Sequence, residues 1–153
     1  MAYITRLKRL QEAFVNAKDK YDFIICERSL YTDKNVFCKM LYDEGKIDEF
    51  GYQIYNKWFD HFQGFLKDAT FVYLKTDFKV CLERVNKRQR DGESSITAEY
   101  LEKNNQYHDN WLLKEENVTI LDGNQDCERN PELLDEYCEK IIDSLNYPQC
   151  CSV

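Results

Sequence analysis

The chain has 153 residues, 43% of them hydrophobic, which is enough apolar material for one folded domain. Its formal net charge of −7 argues against a basic surface for nucleic acid, and no apolar run approaches the roughly 18 residues of a membrane span. We therefore expect one cytoplasmic domain over residues 1–153 that binds neither nucleic acid nor membrane.

Six helices are predicted where apolar residues recur every three to four positions or where a capping residue opens a helix. The candidate capping residues are Asp77, Thr97 and Asn130, and Pro131 suits the first turn of the helix after Asn130. In chain order, the predicted helices cover residues 3–17, 36–41 with an end near 45, 50–65, 77–91, 97–112 and 131–145.

Three short apolar runs predict strands, at residues 22–26, 70–75 and 118–121. Continuous apolar strands that alternate with helices are typical of a parallel sheet covered by helices on both faces. The fold class is therefore α/β, and ligands of such a sheet bind beyond the carboxyl ends of its strands.

An acid, a base and a hydroxyl follow the first predicted strand directly, as Glu27, Arg28 and Ser29. This position at a strand's carboxyl end is typical of a ligand site in an open parallel sheet. The alternative is that charged residues lie there only because the strand ends in water. The triplet by itself does not decide between the two.

A basic stretch, RVNKRQR, interrupts the otherwise acidic chain between Arg84 and Arg90. Arg84 and Arg88 are four residues apart, so both leave a helix on one face, and their planar donors suit phosphate oxygens. The turn that follows, from Asp91 to Ser95, favours a lid over a bound nucleotide. The alternative is that these arginines complement the helix dipole and lie in solvent.

Together, these segments resemble the deoxynucleoside kinases of the deoxycytidine, deoxyguanosine and insect multisubstrate type. The resemblance spans roughly residues 21–127 and implies a P-loop kinase-like sheet. The matching pieces occur in the family's order and read ERSLYTDKNVF, YLKTDFKVCLERVNKRQR, GES, ITAEYLEKNNQYHDNWLL and ILDGNQD.

The resemblance implies a role for four residues around the phosphate acceptor. Arg28 resembles the arginine beside the nucleoside 5′-hydroxyl and the transferred phosphoryl group, and Glu27 resembles the acid that faces magnesium. Asp33 matches the position that senses the base in the deoxycytidine branch. Glu93 matches the lid acid that bonds the sugar 3′-hydroxyl.

The resemblance also implies a donor site for ATP with Mg²⁺. It assigns the donor phosphates to three arginines and the donor base to the loop from Asp122 to Cys127, with Asp126 and Cys127 as its candidate contacts. The three arginines are Arg84, Arg88 and Arg90. The implied reaction transfers the γ-phosphoryl group of ATP to the 5′-hydroxyl of a deoxynucleoside, which depends on positioning and charge neutralisation.

A homodimer is also expected. Kinases of this family commonly pair through helices on one side of the sheet, and residues 50–65 carry more aromatic side chains than a helix on a small sheet needs. Surplus aromatic residues could equally cover the gap that a missing strand leaves.

The chain departs from the family at its beginning. The family opens with a strand, a glycine-rich loop G-x-x-x-x-G-K-[ST] and a glutamate base, and none of these occurs here. We therefore expect a sheet without its N-terminal strands and a truncated kinase that is inactive alone. One alternative is a non-catalytic paralogue that binds nucleosides or dimerises. Another is a remnant of a thymidylate-type monophosphate kinase, although that family usually has Asp-Arg-Tyr where ERS stands.

Overall fold

The computed structural model describes residues 2–17, 20–66, 69–93 and 95–146. The chain divides into two compact units, which we call the N-terminal unit, Met1–Phe65, and the C-terminal unit, Leu66–Val153. No helix among the described residues combines the length and the apolar composition that a membrane crossing requires.

The N-terminal unit is helical throughout its regular secondary structure, and its three predicted helices are confirmed. The middle one is continuous over three segments, because an α-helical start passes into a π-helical segment and then returns to α-helix. The bounds are Ala2–Ala17 for α1, Leu30–Thr32 for α2, Asp33–Cys38 for the π-helical segment, Lys39–Asp43 for α3 and Glu49–Phe62 for α4, which a 3₁₀ turn, Gln63–Leu66, extends.

Capping residues set where the helices of the N-terminal unit begin. The Ser29 hydroxyl accepts a hydrogen bond from the Thr32 backbone N–H at 3.3 Å, and the Ser29 N–H donates to the Thr32 hydroxyl at 3.5 Å. Asp48 caps α4 by accepting from the Gly51 N–H at 2.7 Å. These caps satisfy N–H groups that a helix start otherwise leaves without partners.

Apolar side chains from all three helices form the core of the N-terminal unit. Phe59 of α4 is buried and its ring meets the edge of Tyr31 at 5.3 Å between ring centres. The other buried apolar residues of this unit are Leu7, Leu30, Val36, Cys38 and Met40. Burial of this kind is the main source of stability in a small helical unit.

The C-terminal unit contains the parallel sheet. Its two strands pair in register from Phe71 beside Val118 to Lys75 beside Asp122, which confirms the second and third predicted strands. The elements are Phe71–Lys75 for β1, Phe78–Arg88 for α5, Ala98–Leu112 for α6, Val118–Asp122 for β2 and Glu132–Asn146 for α7. The Asp77 and Thr97 caps are also confirmed, because each side chain accepts a backbone N–H at the start of its helix.

Helices pack on both faces of this two-stranded sheet. Tyr73 of β1 is buried and its hydroxyl donates to the Asp109 carboxylate of α6 at 2.9 Å. Leu121 of β2 lies on the other face and packs against Leu133 and Tyr137 of α7. In the register of the sheet, Tyr73 lies beside the residue that precedes Leu121. Neighbouring residues of a strand point to opposite faces, so α6 and α7 cover opposite sides of the sheet.

The strand predicted at residues 22–26 is wrong. This segment has no regular secondary structure, and Phe23 and Ile25 are 59% and 96% exposed. A strand exists only when a neighbouring strand takes its backbone hydrogen bonds, and no strand among the described residues does so here. An apolar run therefore does not form a strand where no pairing strand is present among the described residues.

Candidate functional site

Arg28 lies in an uncommon backbone conformation in the exposed segment before α2. Its φ angle is 61°, in the left-handed region, which costs a residue other than glycine about 1–3 kcal/mol. Its guanidinium carbon lies 5.1 Å from the centre of the Phe37 ring, in a cation–π contact. Glu27 beside it is exposed to solvent. Among the described residues, the Arg28 cation therefore has an aromatic ring as its neighbour.

Asp33 lies at the start of the π-helical segment, a rare helix form that often occurs at functional sites. Its carboxylate accepts a hydrogen bond from the Arg6 guanidinium of α1, and the side chain is only 14% exposed. The second oxygen, Oδ2, is buried and has no hydrogen-bond partner among the described residues. A buried acceptor without a donor is costly in free energy.

Arg6 and Phe37 contact the predicted site residues Asp33 and Arg28, and neither contact was predicted from the sequence. Arg6 is one of several charged residues on α1, and its partner Asp33 is 27 residues away. Phe37 had been assigned only to the apolar pattern of its helix. Neither role leaves a local signal, because each depends on which side chain lies opposite in the folded chain.

Cys38 ends the π-helical segment and is buried. Burial, and to a smaller extent the negative charge of Asp33, raise the pKa of the Cys38 thiol to about 11. The thiol is therefore protonated at neutral pH and behaves as a small apolar core residue.

In the C-terminal unit, Arg84 of α5 contacts the loop that follows β2. Its Nη1 donates to the Gly123 carbonyl at 2.7 Å, and its Nη2 donates to the carbonyls of Asn124 at 3.3 Å and Gln125 at 3.1 Å. Three successive carbonyl oxygens thus converge on one guanidinium group. The resemblance implies a place for Arg84 beside the donor phosphates, whereas these contacts join it to the loop.

Asp122, the last residue of β2, organises the same loop from within. Its carboxylate accepts from the Asn124 backbone N–H at 3.0 Å and from the Asn124 and Gln125 side-chain amides at 2.9 and 3.2 Å. These hydrogen bonds, first that of the Asn124 backbone, lower the pKa of the Asp122 carboxyl. The Tyr137 hydroxyl of α7 donates to the Asp122 carbonyl. The loop therefore has a defined conformation.

Gly123 allows the two strand ends to approach closely. Its N–H donates to the Lys75 carbonyl at 2.7 Å. A Cβ atom here would lie 2.0 Å from the Thr76 hydroxyl oxygen and 3.1 Å from the Lys75 carbonyl oxygen. Any larger residue would push the loop away from the end of β1, so the tight connection requires glycine.

The predicted lid residues contact each other. Nε and Nη2 of Arg88 donate to the two carboxylate oxygens of Glu93 at 3.1 and 2.5 Å, in a bidentate ion pair. Between them, Gln89 has a φ of 49° and ends α5, and Arg90 is exposed. The acid and one of the arginines that the resemblance assigns to a ligand are thus paired with each other.

Asp126 and Cys127 follow the loop that Arg84 holds. The Asp126 carboxylate accepts from the Glu128 N–H at 3.0 Å, and its carbonyl accepts from the N–H groups of Arg129 and Asn130. Cys127 is half-buried against the cluster formed by β2 and α7. Both residues therefore lie in an ordered turn close to the carboxyl end of β2.

The structure brings the predicted site residues into two groups, one in each unit. Asp33 and Arg28 lie on the N-terminal unit with their contacts Arg6 and Phe37. The lid residues and the loop after β2 lie on the C-terminal unit. There Arg84 donates hydrogen bonds to the loop, and Arg88 forms an ion pair with Glu93.

Comparison with known proteins identifies the family. The family model described as deoxynucleoside kinase matches residues 1–146. Deoxycytidine kinase 2 of Gallus gallus is 35% identical over 134 residues, which cover 78% of this chain and 49% of the relative. Human mitochondrial thymidine kinase 2 is 30% identical, with 82% and 51% covered, and human deoxycytidine kinase is 31% identical, with 90% and 60% covered.

A solved structure shows the same fold. A deoxyadenosine kinase from M. mycoides with bound dATP superposes with a TM-score of 0.67 at 23% identity, covering 90% of this chain and 72% of that one. The chain spans 49% to 60% of the length of the three relatives named above. The match over nearly its whole length nevertheless shows that the chain belongs to the deoxynucleoside kinase family.

Proposed function

We propose that this chain is part of an ATP-dependent deoxynucleoside kinase of nucleotide salvage, which transfers the γ-phosphoryl group of ATP to the 5′-hydroxyl of a deoxynucleoside. One observation carries the proposal: the basic helix α5, which follows β1, contacts the loop after β2 through Arg84. The arginine-bearing helix thus lies at the carboxyl ends of two parallel strands, where sheets of this class bind ligands. Nucleotide phosphates suit the positive charge there.

On the acceptor side, Asp33 is the residue proposed to sense the base. Its free Oδ2 accepts a hydrogen bond, so it favours a base that presents an amino group. The ion pair with Arg6 orients this carboxylate. Arg28 is proposed beside the 5′-hydroxyl and the transferred group, and Glu93 at the 3′-hydroxyl.

On the donor side, Arg88 and Arg90 are proposed to neutralise the phosphates. Arg88 reaches them only after it leaves Glu93, because two of its nitrogens, Nε and Nη2, donate to the Glu93 carboxylate. Asp126 and Cys127 are proposed at the donor base, in the ordered turn after β2. Cations that close over the phosphates stabilise the charge that develops during transfer.

Glu27 is the residue proposed to hold Mg²⁺. Among the described residues no group of three or more acidic, histidine or cysteine side chains converges on one point. Mg²⁺ in nucleotide sites is commonly bound by one or two carboxylates together with substrate phosphates and water, so the single exposed carboxylate of Glu27 fits. The ion would neutralise phosphate charge there.

We further propose that residues 1–153 form the C-terminal part of a single kinase domain, which lies in the cytosol and pairs as a homodimer. The support for the dimer is an exposed apolar stripe on α4, where Phe50, Ile54 and Trp58 recur every four residues. Sedimentation velocity of the purified chain tests it, and a monodisperse monomer at micromolar concentration would contradict it.

The kinase proposal is tested with radiolabelled ATP and deoxycytidine, thymidine or deoxyguanosine. The 153-residue chain by itself is expected to show no turnover, because these residues contain no glycine-rich loop to hold the donor phosphates. Fusion to the N-terminal kinase segment of a relative, which supplies that loop, is expected to give activity.

Two variants of the fused protein make this test specific. Arg28→Ala is expected to lower turnover by about a hundred- to a thousandfold, because it removes a charge at the transferred group. Arg9→Ala removes an exposed arginine of α1 and should leave turnover unchanged. Nucleoside binding without turnover in the fusion would favour the non-catalytic paralogue. Turnover by the chain alone that Arg28→Ala abolishes would contradict the role given to the missing loop.

A further inference from the structure

We infer that Arg84 is a positioning residue that holds the loop after β2 for the donor base, and that it is not a ligand of the donor phosphates. The inference rests on the proposed function for the identity of the ligand. The contact itself is independent of that function, since it joins Arg84 to the backbone carbonyls of Gly123, Asn124 and Gln125 within the chain.

The guanidinium group is committed to the loop by geometry. Both terminal nitrogens donate to carbonyl oxygens, at 2.7 Å from Nη1 and at 3.3 and 3.1 Å from Nη2. Hydrogen bonds from a charged donor are stronger than those between neutral groups. A phosphate would have to displace these bonds before Arg84 could bind it. Arg88 and Arg90 have no such contacts with the loop among the described residues, and they lie closer to the lid turn.

A second contact joins the same helix to the same loop. The Asn124 side-chain oxygen accepts a hydrogen bond from the backbone N–H of Asp77, at 2.7 Å. Asp77 is the N-cap of α5, and Arg84 lies two turns further along that helix. The loop is therefore fixed to α5 at two points about two turns apart, so the helix and the loop form one rigid element.

The loop in turn carries the residues proposed for the donor base. Asp126 and Cys127 directly follow the three carbonyls that Arg84 holds. Without Arg84, three neighbouring carbonyls converge without their donor, and repulsion between their dipoles favours a different loop conformation. The consequence is a selective loss of base recognition, with the phosphate site left intact.

The first experiment measures the loop itself, by amide hydrogen exchange in the full 153-residue chain. The reporters are the N–H groups of Gly123 and Asn124, which donate to the Lys75 carbonyl and the Asp122 carboxylate. Arg84→Ala is expected to raise their exchange rates roughly tenfold or more. Lys87→Ala, which removes an exposed cation from the same helix, is the matched control and should leave them unchanged.

The second experiment separates base recognition from phosphate binding, in the fused protein described above. ATP and inorganic tripolyphosphate are the two probes, since only ATP carries a base. Arg84→Ala is expected to lower the affinity for ATP by about tenfold and to change the affinity for tripolyphosphate by less than about twofold. Arg84→Lys should resemble Arg84→Ala, because an ammonium group does not reproduce a planar fork across three carbonyls.

The outcomes distinguish the inference from the proposed function. If Arg84→Ala lost affinity for ATP and tripolyphosphate equally, and Arg84→Lys restored both, the inference would be overturned and Arg84 would be a phosphate ligand. Unchanged amide exchange in Arg84→Ala would overturn it as well. A fused protein that binds neither probe would count against the proposed function, and the exchange rates would then decide the loop contact alone.

Discussion

Two segments that carry predicted site residues differ in the contacts that they make in the structure. Both were predicted to follow a buried strand: residues 27–29 after the segment 22–26, and residues 123–127 after β2. The second segment is bound by the helix α5, by Asp122 and by the end of β1. The first follows an exposed, unpaired stretch of chain.

The difference shows what an apolar run requires before it becomes a strand. β2 has a parallel neighbour that takes its backbone hydrogen bonds and a helix that covers Leu121. The segment 22–26 is equally apolar, yet among the described residues it has no pairing strand. Local sequence supplies the tendency to be extended, and a neighbouring strand supplies the free energy that fixes it.

The largest expected effect is in thiol chemistry. Cys26 of the unpaired segment is exposed, whereas Cys38 is buried with its pKa raised to about 11. At pH 8 only about one Cys38 in a thousand is a thiolate, so iodoacetamide should label Cys26 at least roughly a hundredfold faster. Because the reactive thiolate increases with pH below the pKa, the Cys38 rate should rise about tenfold for each pH unit up to 11.

Peptide mass spectrometry measures the labelling of Cys26 and Cys38 in the same sample. In the fused protein, labelling of Cys26 should slow if the added segment pairs with residues 22–26, which would sharpen the contrast between the two regions. Equal labelling of Cys26 and Cys38 in the chain alone would mean that the segment is covered, and the contrast would fail.

The next effect is on stability, through a matched pair of truncations in the two regions. Leu121→Ala should lower the free energy of unfolding by about 2–5 kcal/mol, because it leaves a cavity between β2 and α7. Ile25→Ala should change it by less than about 0.5 kcal/mol, since Ile25 is 96% exposed. Urea unfolding followed by circular dichroism measures both. A large loss in Ile25→Ala would show that residues 22–26 are packed in solution.

The smallest expected effect concerns the ion pair between Arg88 and Glu93. Glu93→Gln removes the carboxylate that holds Arg88, so tripolyphosphate should bind the fused protein about two- to fivefold more tightly, as expected for an exposed ion pair. Glu102→Gln makes the same change in charge at an exposed position and is the control. Titration calorimetry compares the two variants, and equal affinities would mean that the ion pair does not restrain Arg88.

Much of the fold was predictable because its signals are local. Apolar periodicity gave the helices, and Asp77 and Thr97 cap them through contacts within three residues. The strands β1 and β2 could be predicted because each is a short apolar run between helices, and such runs pair in parallel. The site motifs could be located, as the order of ERS, the basic helix and the loop is a property of the sequence alone.

The contacts of those motifs could not be predicted, because each depends on a distant part of the chain. Arg84 reaches carbonyls about forty residues away, and Arg6 reaches Asp33 across 27 residues. A carbonyl group is present at every residue, so no residue type marks the three that Arg84 binds. The error at residues 22–26 has the same origin, since a run of apolar residues does not record whether a pairing strand is present.

The sequence by itself determined the family, the order of the elements and which charged residues follow the strands. Only the tertiary structure decided which strand is formed and what each charged side chain contacts. The reason is physical: periodicity and capping act over three or four residues, whereas sheet pairing and ion pairs form between segments that folding brings together. Arg84 illustrates both, because its place on α5 follows from the helical pattern and its three partners follow from the loop that packs against it.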